Sequence, residues 1–102
     1  MDKSGITPED ILRRARQILT PPARWIKHHY RDAGSYCAAG AIGQAVRELF
    51  GTANEPLIWR AQELLGDALP ANWHGMITHW NDAPERTHEE VLRAFDQAMG
   101  GK

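Results

Sequence analysis

Apolar residues recur at helical spacing along most of the chain, and they predict a series of short amphipathic helices. The first helix is predicted over residues 8–19, where Thr7 supplies an N-cap and Pro8 occupies the first helical position. Its apolar positions are Ile11, Leu12, Ala15, Ile18 and Leu19. The prolines at 21 and 22 end this helix, because proline lacks the amide hydrogen that helical hydrogen bonding requires.

A second helix is predicted from Cys37 onward, and Gly51 is expected to close it as the left-handed residue after its last turn. The opening turns of this helix carry only small residues, among them Gly40 and Gly43. Glycine inside a helix costs about 1 kcal/mol relative to alanine. The two glycines therefore predict that another stretch of backbone approaches the helix closely.

Three further helices are predicted in the second half of the chain. The third begins at the cap-and-proline segment Asn54-Glu55-Pro56 and ends near Gly66. The fourth is predicted over about 71–80, where Trp73, Met76, Ile77 and Trp80 share one helical face. The fifth begins at Thr87, which forms a capping box with Glu90. The segment Trp80-Asn81-Asp82 is interpreted as a connector between the last two helices.

Between the first two helices the pattern is less regular. Asp32-Ala33-Gly34-Ser35 is typical of a turn, and strands near 26–31 and 35–37 are compatible with it. A two-stranded hairpin is marginally stable alone, so it must pack on the helices. The predicted fold is all-α, an irregular cluster of about five helices that leaves room for one small β-hairpin near residues 26–37.

Composition narrows the class of protein. The chain has 102 residues, 42% apolar and 25% charged, which is typical of one folded domain over residues 1–102. Its four tryptophans are expected to build much of a small core, and the alternative is that one of them is an exposed aromatic anchor for a partner or a base. Cys37 is the single cysteine, which fits a reducing cytoplasm. No apolar run approaches the roughly 20 residues of a membrane span, and the first residues lack an apolar signal core. We therefore expect a cytoplasmic protein without membrane attachment.

Charge is distributed unevenly, although the net charge is only −1. Residues 11–31, called the basic segment below, carry six basic residues and no acidic residue. The candidate binding surface on this segment comprises Arg13, Arg16, Arg24, Trp25, Lys27 and Arg31. Most such runs are solvated helix faces. As a functional surface it suits the phosphates of a nucleic acid. It equally suits acidic residues of the same chain or of another one.

A cysteine at a helix start has a lowered thiol pKa, and this makes Cys37 a candidate nucleophile. His79 and Asp82 complete the set of groups that a cysteine-dependent hydrolase or acyltransferase uses. Free cysteine is more often a buried packing residue, however, and the favoured prediction is a buried thiol without catalytic function. The adjacent histidines His28 and His29 point apart, and no second cysteine is present. We therefore predict no metal and no cofactor.

Three segments of the chain resemble a known group of proteins. They are Tyr36–Ile42 with its Cys-Ala-Ala-Gly-Ala sequence, Trp80-Asn81-Asp82, and the Arg86-Thr87 helix cap. Together they resemble a family of small uncharacterised proteins of bacteria, mainly actinobacteria, and their phages. The resemblance covers nearly the whole chain. It implies a cytoplasmic accessory protein and supplies no activity, substrate or catalytic residue.

Two functions outside catalysis remain open beside the enzyme hypothesis. The favoured one is a non-enzymatic interaction module that binds another protein or a second copy of itself. The alternative is a nucleic-acid-binding protein that uses the basic segment. The enzyme hypothesis requires an exposed Cys37 within hydrogen-bond reach of a histidine. The nucleic-acid hypothesis requires the basic side chains on one exposed face.

Overall fold

The computed structural model describes residues 5–100. These residues form five helices: α1 (Pro8–Leu19), α2 (Ala38–Phe50), α3 (Glu55–Asp67), α4 (Ile77–Asp82) and α5 (His88–Ala98). Two short antiparallel strands, β1 (Arg31–Asp32) and β2 (Ser35–Tyr36), precede α2, and 3₁₀ turns lie at Pro22–Arg24 and Ala71–Trp73. Helix α1 packs against α2, α3 and α5, and α2 also packs against α3 and α4. The predicted fold class is confirmed.

Helices α1, α3 and α5 begin directly after the cap residues that the sequence predicts. The Thr7 hydroxyl accepts a hydrogen bond from the Asp10 amide at 3.1 Å, and the Asp10 carboxylate accepts one from the Thr7 amide at 3.0 Å. Thr87 and Glu90 repeat this arrangement at the start of α5. The Asn54 side chain caps α3. Each cap satisfies amide hydrogens that the first helical turn leaves without a partner.

The core lies where α1, α2, α3 and α5 meet. Its largest completely buried apolar side chains are Phe95, Ile11, Leu12, Leu19, Ile42, Leu65, Val46 and Val91. Most of the predicted apolar face of α1 is buried there, with Ile18 at its margin. No helix among residues 5–100 has the length and apolar character needed to cross a membrane.

The predicted fourth helix over 71–80 is wrong in its first half. A 3₁₀ turn opens the segment, Gly75 then takes a left-handed backbone conformation with φ of +75°, and α4 starts only after it. The Gly75 amide donates to the Gly66 carbonyl of α3 at 3.2 Å. This hydrogen bond to another helix takes the place of the hydrogen bond that a continuous fourth helix would contain. Met76, predicted on the apolar face, is consequently 44% exposed.

The hairpin is present but shorter than the predicted strands. Arg31 pairs with Tyr36 and Asp32 pairs with Ser35. The two turn residues between them, Ala33 and Gly34, have φ of 51° and 84°. Positive φ at both central positions is the conformation that matches the twist of a two-residue hairpin.

The close approach predicted at the glycines of α2 occurs at Gly40 and is absent at Gly43. A Cβ added to Gly40 would overlap the backbone carbonyl of Tyr30, whereas one added to Gly43 meets nothing within 4 Å. The same Tyr30 carbonyl accepts a hydrogen bond from the Cys37 amide at 3.2 Å. Gly40 thus allows the loop before β1 to lie directly on the first turn of α2.

We expect opposite effects from alanine at these two positions. Gly40→Ala forces the Tyr30 backbone away from α2 and should lower the free energy of unfolding by about 1–3 kcal/mol. Gly43→Ala has space and should leave stability unchanged or raise it by up to about 1 kcal/mol. Urea denaturation of both variants measures the difference. Equal stability of the two variants would contradict the close contact.

Candidate functional site

Asn81, in α4, is a completely buried polar residue that joins separate parts of the chain. Its Oδ1 accepts hydrogen bonds from the Trp25 indole nitrogen at 2.7 Å and from the Ala38 amide at 3.0 Å. Its Nδ2 donates to the Ile26 carbonyl at 3.1 Å and to the Asp82 carboxylate at 3.0 Å. All the hydrogen-bonding capacity of the amide is therefore used. The segment expected to be a simple connector is instead the anchor of residues 25–38.

The residues that follow Asn81 in the chain also bind the loop that precedes β1. The Asp82 carboxylate accepts a hydrogen bond from the His28 amide at 2.8 Å, and Lys27 Nζ donates to the Ala83 carbonyl at 2.8 Å. Burial would raise the pKa of Asp82, but the hydrogen bonds donated by His28 and Asn81, together with the nearby His28 and His79 rings, lower the pKa overall. His28 itself has a φ of 73°, and the residues that follow it, His29 and Tyr30, are exposed. The anchored loop thereby presents Tyr30 on the surface.

Arg86 fixes the end of α4. Its Nε donates to the Trp80 carbonyl at 2.8 Å, and its guanidinium lies 4.6 Å from the centre of the Trp80 ring. The guanidinium also contacts the Trp73 ring and Glu90. This side chain is buried, and its charge is balanced by the aromatic faces and the carboxylate. Arg86 thus links α4 to the cap of α5.

The predicted catalytic candidates do not form a catalytic arrangement. Cys37 is only 3% exposed, and its sulfur accepts a hydrogen bond from the Gly40 amide at 3.3 Å, as the N-cap of α2. Burial raises the pKa of the thiol, and the nearby Asp82 carboxylate adds to that effect. Asp82 and Cys37 line one cavity of about 300 Å³, whereas His79 lies outside it. The predicted burial of the thiol is confirmed.

Two histidines, His28 and His29, line the same cavity as Cys37. His28 Nδ1 lies 3.9 Å from the Asp82 carboxylate, and no hydrogen bond joins Cys37 to a histidine within residues 5–100. Over the same residues no three His, Cys, Asp or Glu side chains lie close enough together to hold a metal ion. The cavity is therefore lined by a buried thiol and by two histidines that make no hydrogen bond to it.

The arginines of α1 form ion pairs with acidic residues of the same chain. The pairs are Arg13–Asp10, Arg14–Glu48 and Arg16–Asp96, with nitrogen–oxygen distances of 2.9, 2.7 and 2.6 Å. Arg16 makes a second hydrogen bond to the same carboxylate at 3.0 Å. Two of these pairs connect α1 to α2 and α5. Part of the charge asymmetry of the sequence is thus compensated within one chain.

The other residues of the predicted binding surface lie in two places. Arg24, Trp25 and Lys27 lie against the loop and the hairpin, whereas Arg31 lies on the surface. Arg24 donates to the Gly34 carbonyl, and Lys27 lies over the half-buried Trp25 ring at 5.6 Å. These residues therefore help to hold the loop and the hairpin together. Arg31 is exposed and has no ion pair within the described part of the chain. Arg31 lines a pocket together with Tyr30, and no other described residue of the predicted set lines that pocket.

A groove lies between α3 and the loop before β1, which contains Tyr30. It has a volume of about 830 Å³ and is called the aromatic groove below, because Tyr30 and Trp59 both line it. Tyr30 is 65% exposed and Trp59 is 69% exposed. Ala39 and Ile77 also line the groove. The carboxylates Glu63 and Asp67 belong to its polar lining.

Trp59 corrects the expectation that all four tryptophans build the core. Trp80 is buried and Trp25 and Trp73 are partly buried, but Trp59 is the most exposed large apolar side chain of residues 5–100. The sequence contains a signal for this position. Trp59 falls outside the apolar stripe of α3, to which Ala61 and Leu65 belong.

The sequence also matches a family. The family of unknown function DUF6197 matches residues 3–100. The chain belongs to this family. No match was found among the curated proteins or the solved structures. The DUF6197 description assigns no activity, so the geometry of this chain carries the functional argument. The hydrogen bond from the Ala38 amide to Asn81 joins the segment around Cys37 to the segment that contains Trp80.

We expect slow alkylation of Cys37 in the native protein. Iodoacetamide reacts with the thiolate, and burial disfavours that form, so the pH midpoint of labelling should lie above the free-thiol value of about 8.5. Denatured protein should react rapidly and serves as the internal control, because Cys37 is the single cysteine. Rapid native labelling with a midpoint below about 8.5 would contradict the burial of this thiol and support a reactive cysteine.

Proposed function

We propose that this protein is a non-enzymatic interaction module that binds an extended segment of a partner protein in the aromatic groove. The observation that carries the proposal is the exposure of Tyr30 and Trp59 on the same groove. Tyrosine and tryptophan are enriched among the residues that dominate binding energy at protein interfaces. A large apolar side chain held on the surface is accounted for if a partner covers it.

The lining of the groove supports binding rather than catalysis. Among residues 5–100 its lining contains no cysteine, histidine or serine, and the charged side chains there are Arg60, Glu63 and Asp67. The same lining favours a protein over a nucleic acid, because its two carboxylates would repel phosphate groups. The ion pairs of the α1 arginines support the same choice, since their charges already have partners.

The cellular location in which this function takes place is inferred from the sequence. The resemblance to bacterial and phage proteins and the single cysteine support a small accessory protein of the bacterial cytoplasm. The size of the domain also fits, because 102 residues that form one core leave space for a surface groove and little space for a deep active site.

The proposal is tested with a phage-displayed library of random 12-residue peptides selected on the full chain. Fluorescence polarisation then measures the affinity of the enriched peptides. Trp59→Ala and Tyr30→Ala should each weaken binding at least about 10-fold. Met76→Ala is the matched control, because Met76 is exposed and apolar but does not line the groove. The control variant should bind like the wild type.

Two results would overturn the proposal. One is the enrichment of peptides whose affinity is the same for Trp59→Ala, Tyr30→Ala and the wild type. The other is micromolar binding of random single-stranded DNA at physiological salt that is lost when Arg13, Arg16 and Lys27 are replaced by glutamine. The second result would establish the basic segment as the functional surface.

A further inference from the structure

A second pocket, of about 240 Å³, adjoins the aromatic groove and shares Tyr30, Ala39 and Gln62 with it. We call it the arginine pocket, because the exposed side chains of Arg31 and Arg47 both line it. We propose that the arginine pocket binds an Asp or Glu side chain of the partner segment, directly beside the part that covers Tyr30. This inference rests on the proposed function and adds the chemistry of the partner.

Neither arginine has an ion pair within residues 5–100, and the acidic residue that follows each of them in the chain supplies none. Glu48 follows Arg47 in α2, but one of its oxygens accepts from Arg14 at 2.7 Å and the other from Gln44 at 3.0 Å. Asp32 follows Arg31 in β1, and successive strand residues point to opposite faces. Two guanidinium groups thus line one pocket without an anionic partner.

The shape of the pocket allows a ligand to reach both groups. Gly40 and Gly43 line it and contribute no side chain, and a Cβ added at Gly43 would meet nothing within 4 Å. Tyr30 and Tyr36 belong to the lining, so the pocket combines aromatic surface with positive charge. A guanidinium binds a carboxylate through two parallel hydrogen bonds. The pocket is therefore suited to the carboxylate of a short acidic side chain.

A carboxylate is favoured over a phosphate group because Glu63 and Asp67 line the adjoining aromatic groove. Their negative charges disfavour a dianion more than a monoanion. Continuity with the aromatic groove through Tyr30 indicates that the acidic group belongs to the same bound segment.

The test uses the peptides that the library selection enriches on the full chain. They should carry an Asp or Glu next to apolar residues, and replacing that residue by its amide should weaken binding to the wild type about 10-fold. The variant Arg31→Gln/Arg47→Gln should bind about 10-fold more weakly, and on this variant the amide replacement should have no effect. Arg93→Gln, at an exposed position on α5, is the control and should bind like the wild type.

The outcomes separate this inference from the proposed function. Peptides that require Trp59 but retain full affinity for Arg31→Gln/Arg47→Gln would overturn the acidic anchor and leave the aromatic groove in place. Peptides that require the arginines but not the aromatic residues would overturn the proposed function. A phosphoserine peptide that binds more than 10-fold tighter than its glutamate counterpart would overturn the choice of a carboxylate.

Discussion

The buried amide of Asn81 is the interaction on which the surface of this protein depends. It bonds the Trp25 indole, the Ile26 carbonyl and the Ala38 amide, so one side chain fixes both ends of a loop and the start of α2. A buried polar group stabilises only when all its hydrogen bonds are made. Over residues 5–100 no buried side-chain nitrogen or oxygen lacks a partner. The loop is consequently held against the helices by buried polar side-chain atoms that all have hydrogen-bond partners.

That position accounts for the candidate site. The loop lies against α2 at Gly40, where the absence of a side chain allows the Tyr30 backbone to contact the helix. The side chain of Tyr30 is then directed to the surface, where it borders both the aromatic groove and the arginine pocket. Trp59 approaches the groove from α3. A rigid scaffold that presents exposed aromatic groups is what a binding surface requires.

The sequence predicts local features well and the site poorly. The caps at Thr7 and Thr87 act through neighbouring residues, so their sequence spacing was sufficient to place the helices. The break at Gly75 depends on a contact with Gly66, and the function of Asn81 depends on residues more than 40 positions away. Periodicity carries no information on such contacts. It did leave Trp59 outside the apolar stripe of α3, which was the available indication of the groove.

Hydrogen exchange at the Ala38 amide tests the anchoring by Asn81 most directly. Ala38 is the first residue of α2, and an amide at that position has no acceptor within its own helix. His88, the first residue of α5, is the matched reference, because no hydrogen bond from its amide is found within residues 5–100. The account predicts that the Ala38 amide exchanges at least about 100-fold more slowly than the His88 amide. Equal exchange rates at the two amides would contradict it.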